Sequence, residues 1–366
     1  MILLDGNHLK LSELLAIADD HVDVGLAPDA RARVAAARAV VDAKAEGEAA
    51  VYGVNTGFGN FAETRIGKPD LAALQLNLLR SHAAGVAEPL PVRTVRAAMA
   101  LRANVLAKGF SGIRVETLEA LVALLNHGVH PRVPSRGSVG ASGDLAPLAH
   151  LALVLVGEGE TIAGVSGRDA LAAAGLQPVT LEPKEGLALI NGTQFSTAVL
   201  ALALAGAERL SRAADIAAAL SIDALMGSMH PFEPRIHAPR PFAGQAASAD
   251  NLLRLMSGSA INASHVNCGR VQDAYSMRCA PQVHGAAREA LSWIGHVVRT
   301  EMNAATDNPM VFADSAEIVS GGNFHGAPLA LASDLLVMAL AQLATISERR
   351  SERLVNPALS GLPAFL

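Results

Sequence analysis

The sequence predicts a mainly α-helical protein, a bundle of long helices preceded by a mixed, mostly helical N-terminal domain. Three observations carry this reading. Apolar residues make up 51% of the chain and aromatics only 3%, so alanine and leucine, both strong helix formers, fill the difference. The second half holds three long stretches with few helix breakers. Strand signals are weak throughout. The N-terminal domain is placed over residues 1–190 and the bundle over 191–366.

The elements follow in chain order. Pro28-Asp29 opens a helix to about Ala45, with Pro28 suited to a first turn. Helices over Asp70–Ser81 and Pro91–Lys108 come next, the second stopped by Gly109. Val115–Asn126 ends at His127-Gly128. Leu145–Val156 is apolar throughout and ends at Gly157. Thr161–Val165 and Gln177–Leu181 are open between short strands and loops. Thr193–Leu225, Ala286–Glu301 and Pro328–Arg353 are the long helices, and such helices side by side make a bundle.

Composition excludes several classes. A net charge of −5 without a basic tract argues against nucleic acid. The two cysteines, Cys268 and Cys279, are too few for a disulfide framework and lack zinc-site spacing, which fits a cytoplasmic protein. The N-terminus has no basic segment followed by a long apolar run. The stretches Leu145–Val156 and Ala327–Ile346 are short or interrupted by Asp334, so neither reads as a clean membrane span. They read instead as helices buried on every side, in a core or between subunits, and a homo-oligomer is expected. The histidines are scattered without a His-Glu-x-x-His pattern, so no catalytic metal is expected.

Glycines cluster in Tyr52–Gly59, Gly137–Gly143 and Gly321–Gly326, where backbone shapes closed to other residues become available. The middle run, Gly137-Ser138-Val139-Gly140-Ala141-Ser142-Gly143-Asp144, has a plain reading as a loop in which Asp144 or Ser142 caps the next helix. A hydrolase nucleophile elbow fails, because Asp144 stands where a glycine is needed. A phosphate loop fails for want of Gly-Lys-Ser/Thr. Ala-Ser-Gly also permits another chemistry. A chain bent sharply at glycine lets its amide nitrogen attack a nearby carbonyl carbon. Loss of two waters, one from the serine hydroxyl, then leaves an electrophilic exocyclic methylidene.

This run resembles the segment that forms the methylidene-imidazolone group (MIO, 4-methylideneimidazole-5-one) in the aromatic amino-acid ammonia-lyase family. Val51-Tyr52-Gly53-Val54-Asn55-Thr56-Gly57-Phe58-Gly59 resembles the family's catalytic-tyrosine loop, and Asn191-Gly192-Thr193-Gln194 its asparagine segment. Arg270-Val271-Gln272-Asp273-Ala274-Tyr275-Ser276-Met277-Arg278-Cys279 is similar to its carboxylate-binding segment. Thr306-Asp307-Asn308-Pro309 and Gly321-Gly322-Asn323-Phe324-His325-Gly326 also match. The motifs stand in family order over nearly the whole chain. The chain's two tyrosines, Tyr52 and Tyr275, both fall inside them.

The resemblance implies that Ala141, Ser142 and Gly143 form the electrophile and that Tyr52 removes the substrate's β-proton. A tyrosine serves as base only once its pKa is lowered from about 10. Arg278 is implied to hold the substrate carboxylate, the alternative being a surface ion pair. Asn191, Gln272 and Tyr275 are implied to bond around the ring and carboxylate, and Phe324 to form a pocket wall or pack in the core. Ser81-His82 resembles the pair in members that take histidine, where His82 hydrogen-bonds an imidazole. The alternative is a structural histidine. The implied reaction is loss of ammonia from L-histidine to give trans-urocanate, in a homotetramer whose sites take residues from several subunits, Tyr52 and the ring from different chains. The same motifs also suit a tyrosine or phenylalanine lyase or an aminomutase. Family members normally run well beyond the position of Leu366, so the bundle is expected to be incomplete, and an inactive structural subunit is the remaining alternative. Pro239–Gln245 resembles a family segment without informing substrate choice.

Overall fold

The computed structural model describes residues 1–57, 59, 62–266 and 268–364. Its architecture is mainly α-helical, as the sequence predicts. Helices occupy Pro28–Glu46, Lys68–His82, Val92–Ala107, Val115–Asn126 and Leu145–Leu155, within a residue or two of the positions read from sequence. The long helices are Gln194–Ala224, Ala280–Glu301 and Ala327–Val355. Pro28 does open its helix, where its missing N–H costs nothing.

Strands among the described residues form three two-stranded sheets. Ile2–Leu4 pairs in parallel with Val24–Leu26. Val86–Pro89 runs antiparallel to Pro134–Arg136, and Met310–Phe312 to Glu317–Val319. The segment Thr161–Val165 supplies only an isolated bridge from Thr161 to Pro131, and Gln177–Leu181 is loop. The sheet Val86–Pro89/Pro134–Arg136 leads the chain into the glycine-rich run.

Contacts divide the chain into two compact units. One comprises Met1–Leu202 with Val298–Ala330, the other Ala203–Val297 with Leu331–Leu366. Each takes two stretches of chain.

In the first unit Val92–Ala107 is buried on every side. Its polar residues therefore find partners on other segments. Arg96 donates from Nε to the Ile17 carbonyl at 2.8 Å and from Nη1 to the Leu125 carbonyl at 3.1 Å. Asn104 accepts from the Gly6 amide at 2.9 Å and donates to the Met302 carbonyl at 2.9 Å. In the second unit a core of Ile222, Leu225, Phe232, Leu252, Met256 and Met277 is completed by a polar hub. Asp215 there accepts from Asn251 at 2.9 Å and meets His284 Nδ1 at 2.7 Å.

Among the described residues two helical stretches are long and apolar enough to cross a membrane, Glu185–Ala224, which joins the helices Glu185–Ile190 and Gln194–Ala224, and Ala327–Val355. Most of the first one's apolar window is buried in the protein, as in a core helix. The second presents Leu331, Val337 and Met338 at 61%, 69% and 58% exposure.

His130 gives the first unit an acid sensitivity. Arg96 Nη1 donates to His130 Nε2 at 3.1 Å, which requires a neutral ring. Burial first, then Arg96 and His21, depress its pKa to about 4. The unfolded chain's histidine takes its proton near 6.5, so between these values the unfolded state binds more protons. Stability should fall as pH drops through that window. Urea midpoints measured from pH 7 to 4.5 should decline less steeply for His130→Gln, and equal slopes would remove His130 as a cause.

Candidate active site

The glycine-rich run leaves its strand at Arg136 and enters the Leu145–Leu155 helix. Gly140–Ser142 form a tight turn, closed by Ser142 N–H to the Val139 carbonyl at 2.7 Å. Ala141 and Ser142 are exposed, while Gly143 is buried. Gly143 has φ of +82°, a left-handed shape that favours glycine. A Cβ there would lie 2.8 Å from the Gly192 carbonyl oxygen and 3.2 Å from that of Phe324. Two further motif segments thus press directly on the turn.

Asp144 occupies the N-cap position but does not cap the helix with its side chain. Its carboxylate, 1% exposed, accepts from Ser138 Oγ at 2.5 Å, Ser196 Oγ at 2.7 Å and the Ser196 amide at 2.7 Å. Its amide donates to the Gly192 carbonyl at 2.7 Å. The plain capping reading is replaced by a clamp that ties both ends of the loop to the start of Gln194–Ala224.

Asn191 ends the short Glu185–Ile190 helix. Its Nδ2 donates to the Asn308 carbonyl at 2.9 Å, and its buried Oδ1 has no hydrogen-bond partner. Arg102, fully buried, holds this turn from behind. It donates to the Asn191 carbonyl at 3.0 Å, to Gln194 Oε1 at 2.8 Å and to the Ala188 carbonyl. Thr193 donates to Glu301 Oε1 at 2.6 Å. Burial pushes the Glu301 carboxyl up, the Thr193 bond draws it back, and the Asp144 charge raises it.

Tyr52 stands in a turn beside Gly53, whose φ is +75°. A Cβ on Gly53 would lie 2.8 Å from Leu187 Cδ2 and 3.3 Å from Pro309 Cδ. Leu187 is on the helix that ends at Asn191, and Pro309 follows the residue bonded to Asn191. The tyrosine turn, the asparagine and the Ala-Ser-Gly turn are thus packed through neighbouring backbone within one unit. Burial pushes the Tyr52 phenol up, the direction opposite to a ready base. Phe58 of the same loop lies outside the described residues.

Ser81 and His82 close the Lys68–His82 helix. Ser81 Oγ donates to the Leu78 carbonyl at 2.9 Å, and His82 Nδ1 lies 2.9 Å from the same oxygen. A carbonyl only accepts, so Nδ1 carries the proton, and in the neutral ring Nε2 is then the nitrogen with the lone pair. Phe324 is half-buried, and its carbonyl rather than its ring faces Gly143.

Gln272, Tyr275 and Arg278 are gathered in the second unit. Arg278 Nη2 donates to Gln272 Oε1 at 2.8 Å, and its guanidinium stacks 4.7 Å over the Tyr275 ring. Tyr275 is 72% exposed. Arg278 and Gln272 line a cavity of about 650 Å³ with Arg270, His265 and Asn262. The Arg278 alternative, a surface ion pair, is not what forms, since its partners are an amide and an aromatic face.

Sequence reasoning missed Asp144 as a clamp and missed Arg102, Thr193 and Glu301. Arg102 carried a signal, a charge inside the helical stretch Pro91–Lys108, which must find partners wherever that stretch is buried.

The profile of the aromatic amino acid lyase family matches residues 9–366. A histidine ammonia-lyase of Myxococcus xanthus is 56% identical over 368 residues, spanning all of this chain and 72% of that protein. The structure of histidine ammonia-lyase from Trypanosoma cruzi superposes with a TM-score of 0.90 at 45% identity, covering 100% of this chain and 69% of that one. Tyrosine aminomutase from Streptomyces globisporus superposes with a TM-score of 0.93 at 38% identity, covering 100% and 73%. With the motifs in order, the fold matched and the profile spanning nearly every residue, the chain belongs to the aromatic amino acid lyase family of carbon–nitrogen lyases.

Proposed function

We propose that this chain eliminates ammonia from L-histidine to give trans-urocanate, using a methylidene-imidazolone made from Ala141, Ser142 and Gly143. The observation that carries the reading is the exposed Ala-Ser-Gly turn whose glycine is left-handed and has no room for a Cβ. The residues fit the group in two further ways. Asn191 Oδ1 is buried beside the turn without a partner, and Asp144 fixes both loop ends. In ring closure the Gly143 nitrogen bonds to the Ala141 carbonyl carbon, whose oxygen leaves as water. The Ser142 hydroxyl leaves as the second water. The finished ring supplies an electrophile that turns a poor amine leaving group into a good one.

The chain's own side chains do the rest. Arg278, oriented by Gln272 and Tyr275, binds the substrate carboxylate through its remaining donors. His82 accepts the substrate imidazole N–H at its free Nε2 lone pair. Tyr52 removes the β-proton, and its phenol must be brought down from its buried, raised value by positive charge or donors supplied in the assembled, substrate-bound site. Phe324 walls the pocket. The exposed Leu331, Val337 and Met338 support an oligomer, which we propose to be a cytoplasmic homotetramer with shared sites. The names of the relatives support histidine over tyrosine.

The test offers histidine, tyrosine and phenylalanine separately and follows ammonia release and product absorbance. Histidine alone should turn over, giving urocanate. His82→Leu should raise KM for histidine about tenfold, the loss of one hydrogen bond in a closed pocket. Turnover of tyrosine without histidine refutes the substrate assignment.

A further inference from the structure

The loop and the Ser81-His82 pair are tied together through Gly85. Beyond His82 the helix unwinds in a short turn, with Ala83 N–H on the Leu79 carbonyl at 3.0 Å and Ala84 N–H on that of His82 at 2.8 Å. The next amide, Gly85 N–H, donates to His150 Nε2 at 3.1 Å. His150 lies on the Leu145–Leu155 helix, which leaves the glycine-rich loop. Gly85 is also pressed from the other end of that loop. A Cβ on Gly137 would lie 3.0 Å from Gly85 Cα, and a Cβ on Gly85 would lie 3.2 Å from Pro134 Cβ and 3.3 Å from the Arg136 carbonyl. Val86 then pairs with Arg136 in the small sheet. One residue therefore meets both the entry of the Ala-Ser-Gly loop and the helix that leaves it, and His150 is the side chain that grips it.

We propose that His150 is a positioning residue for substrate recognition, holding Gly85 so that Ser81 and His82 keep a fixed place relative to the Ala141–Gly143 turn. The geometry needs a neutral imidazole, since only a lone pair on Nε2 can accept from the amide. Burial, with a smaller contribution from Arg132, holds the His150 pKa below its ordinary value. Arg132 is itself paired with Glu160 at 3.0 Å. His150 contacts the recognition segment through backbone alone, so its removal should disturb binding and not bond-breaking. The consequence for KM rests on the histidine reading above, whereas the hold on Gly85 does not.

The experiment compares wild type with His150→Phe, which keeps a ring and loses the acceptor, and His150→Gln, whose Oε1 reaches about as far as Nε2. His150→Met is a second variant without a nitrogen or oxygen acceptor, in case phenylalanine does not fold. Hydrogen exchange of the peptide spanning residues 81–86 should quicken in the Phe and Met variants and stay protected in Gln. KM for histidine should rise about three- to tenfold in Phe and Met with kcat nearly kept, and Gln should restore it. The mass of the Ala141–Gly143 peptide should be the same in all four proteins. Unchanged exchange in a folded acceptor-free variant overturns the proposal, as does a fall in kcat at constant KM or a failure of Gln to restore protection. A wild type that takes tyrosine and not histidine defeats the substrate reading, and the exchange comparison still decides the role of His150.

Discussion

Tyr52→Phe should lower histidine turnover by about 10²- to 10⁴-fold, the range for removing a general base. The substitution keeps the aromatic ring and removes one oxygen. The turn's backbone is set by Gly53 against Leu187 and Pro309, and circular dichroism of the two proteins checks that the fold is kept. KM should move little, because a base acting on the β-carbon contributes in the transition state more than in the ground state. The wild type should also show an acid limb in kcat/KM, since a phenolate is the active form and burial opposes it. Steady-state rates of the two proteins from pH 6 to 10 check both statements. A Phe variant retaining near-normal kcat removes Tyr52 from the chemistry.

Gly143→Ala should leave the turn unmodified. The site has φ of +82°, where an alanine costs about 1–2 kcal/mol on its own. The added methyl would also stand 2.8 Å from the Gly192 carbonyl, a backbone atom bonded to the Asp144 amide and unable to move freely. Relief requires the turn to shift, which takes the Gly143 nitrogen away from the Ala141 carbonyl carbon. Gly140→Ala is the matched control, since nothing lies within 4 Å of a Cβ there. The peptide mass should show both waters retained in Gly143→Ala and lost in Gly140→Ala. Full dehydration in both would separate ring closure from this geometry.

The helices were legible because alanine and leucine periodicity, Pro28 and the glycines after Lys108 and Val156 are local signals. Val115–Asn126 was read to the residue. The small sheets were not legible. Val86–Pro89 and Pro134–Arg136 lie far apart in sequence, and their pairing is decided by what the loop between them must reach. The residues of the site were legible through motifs, but their connections were not. Asp144 looked like a helix cap because capping is a local rule, whereas its partners Ser138 and Ser196 lie on opposite sides of it in sequence. The tautomer of His82 depends on the Leu78 carbonyl, and the hold of His150 on a glycine amide, so neither is written in residue types. Folding created those bonds by ending one helix beside another.

The account rests on the Ala-Ser-Gly turn becoming an electrophile, and the intact mass of the folded chain tests that most directly. The wild type should be lighter than its encoded sequence by two waters, with the loss confined to the peptide containing Ala141, Ser142 and Gly143. Ser142→Ala has no hydroxyl to lose and should form no methylidene. A folded wild-type chain at its full encoded mass would contradict the account.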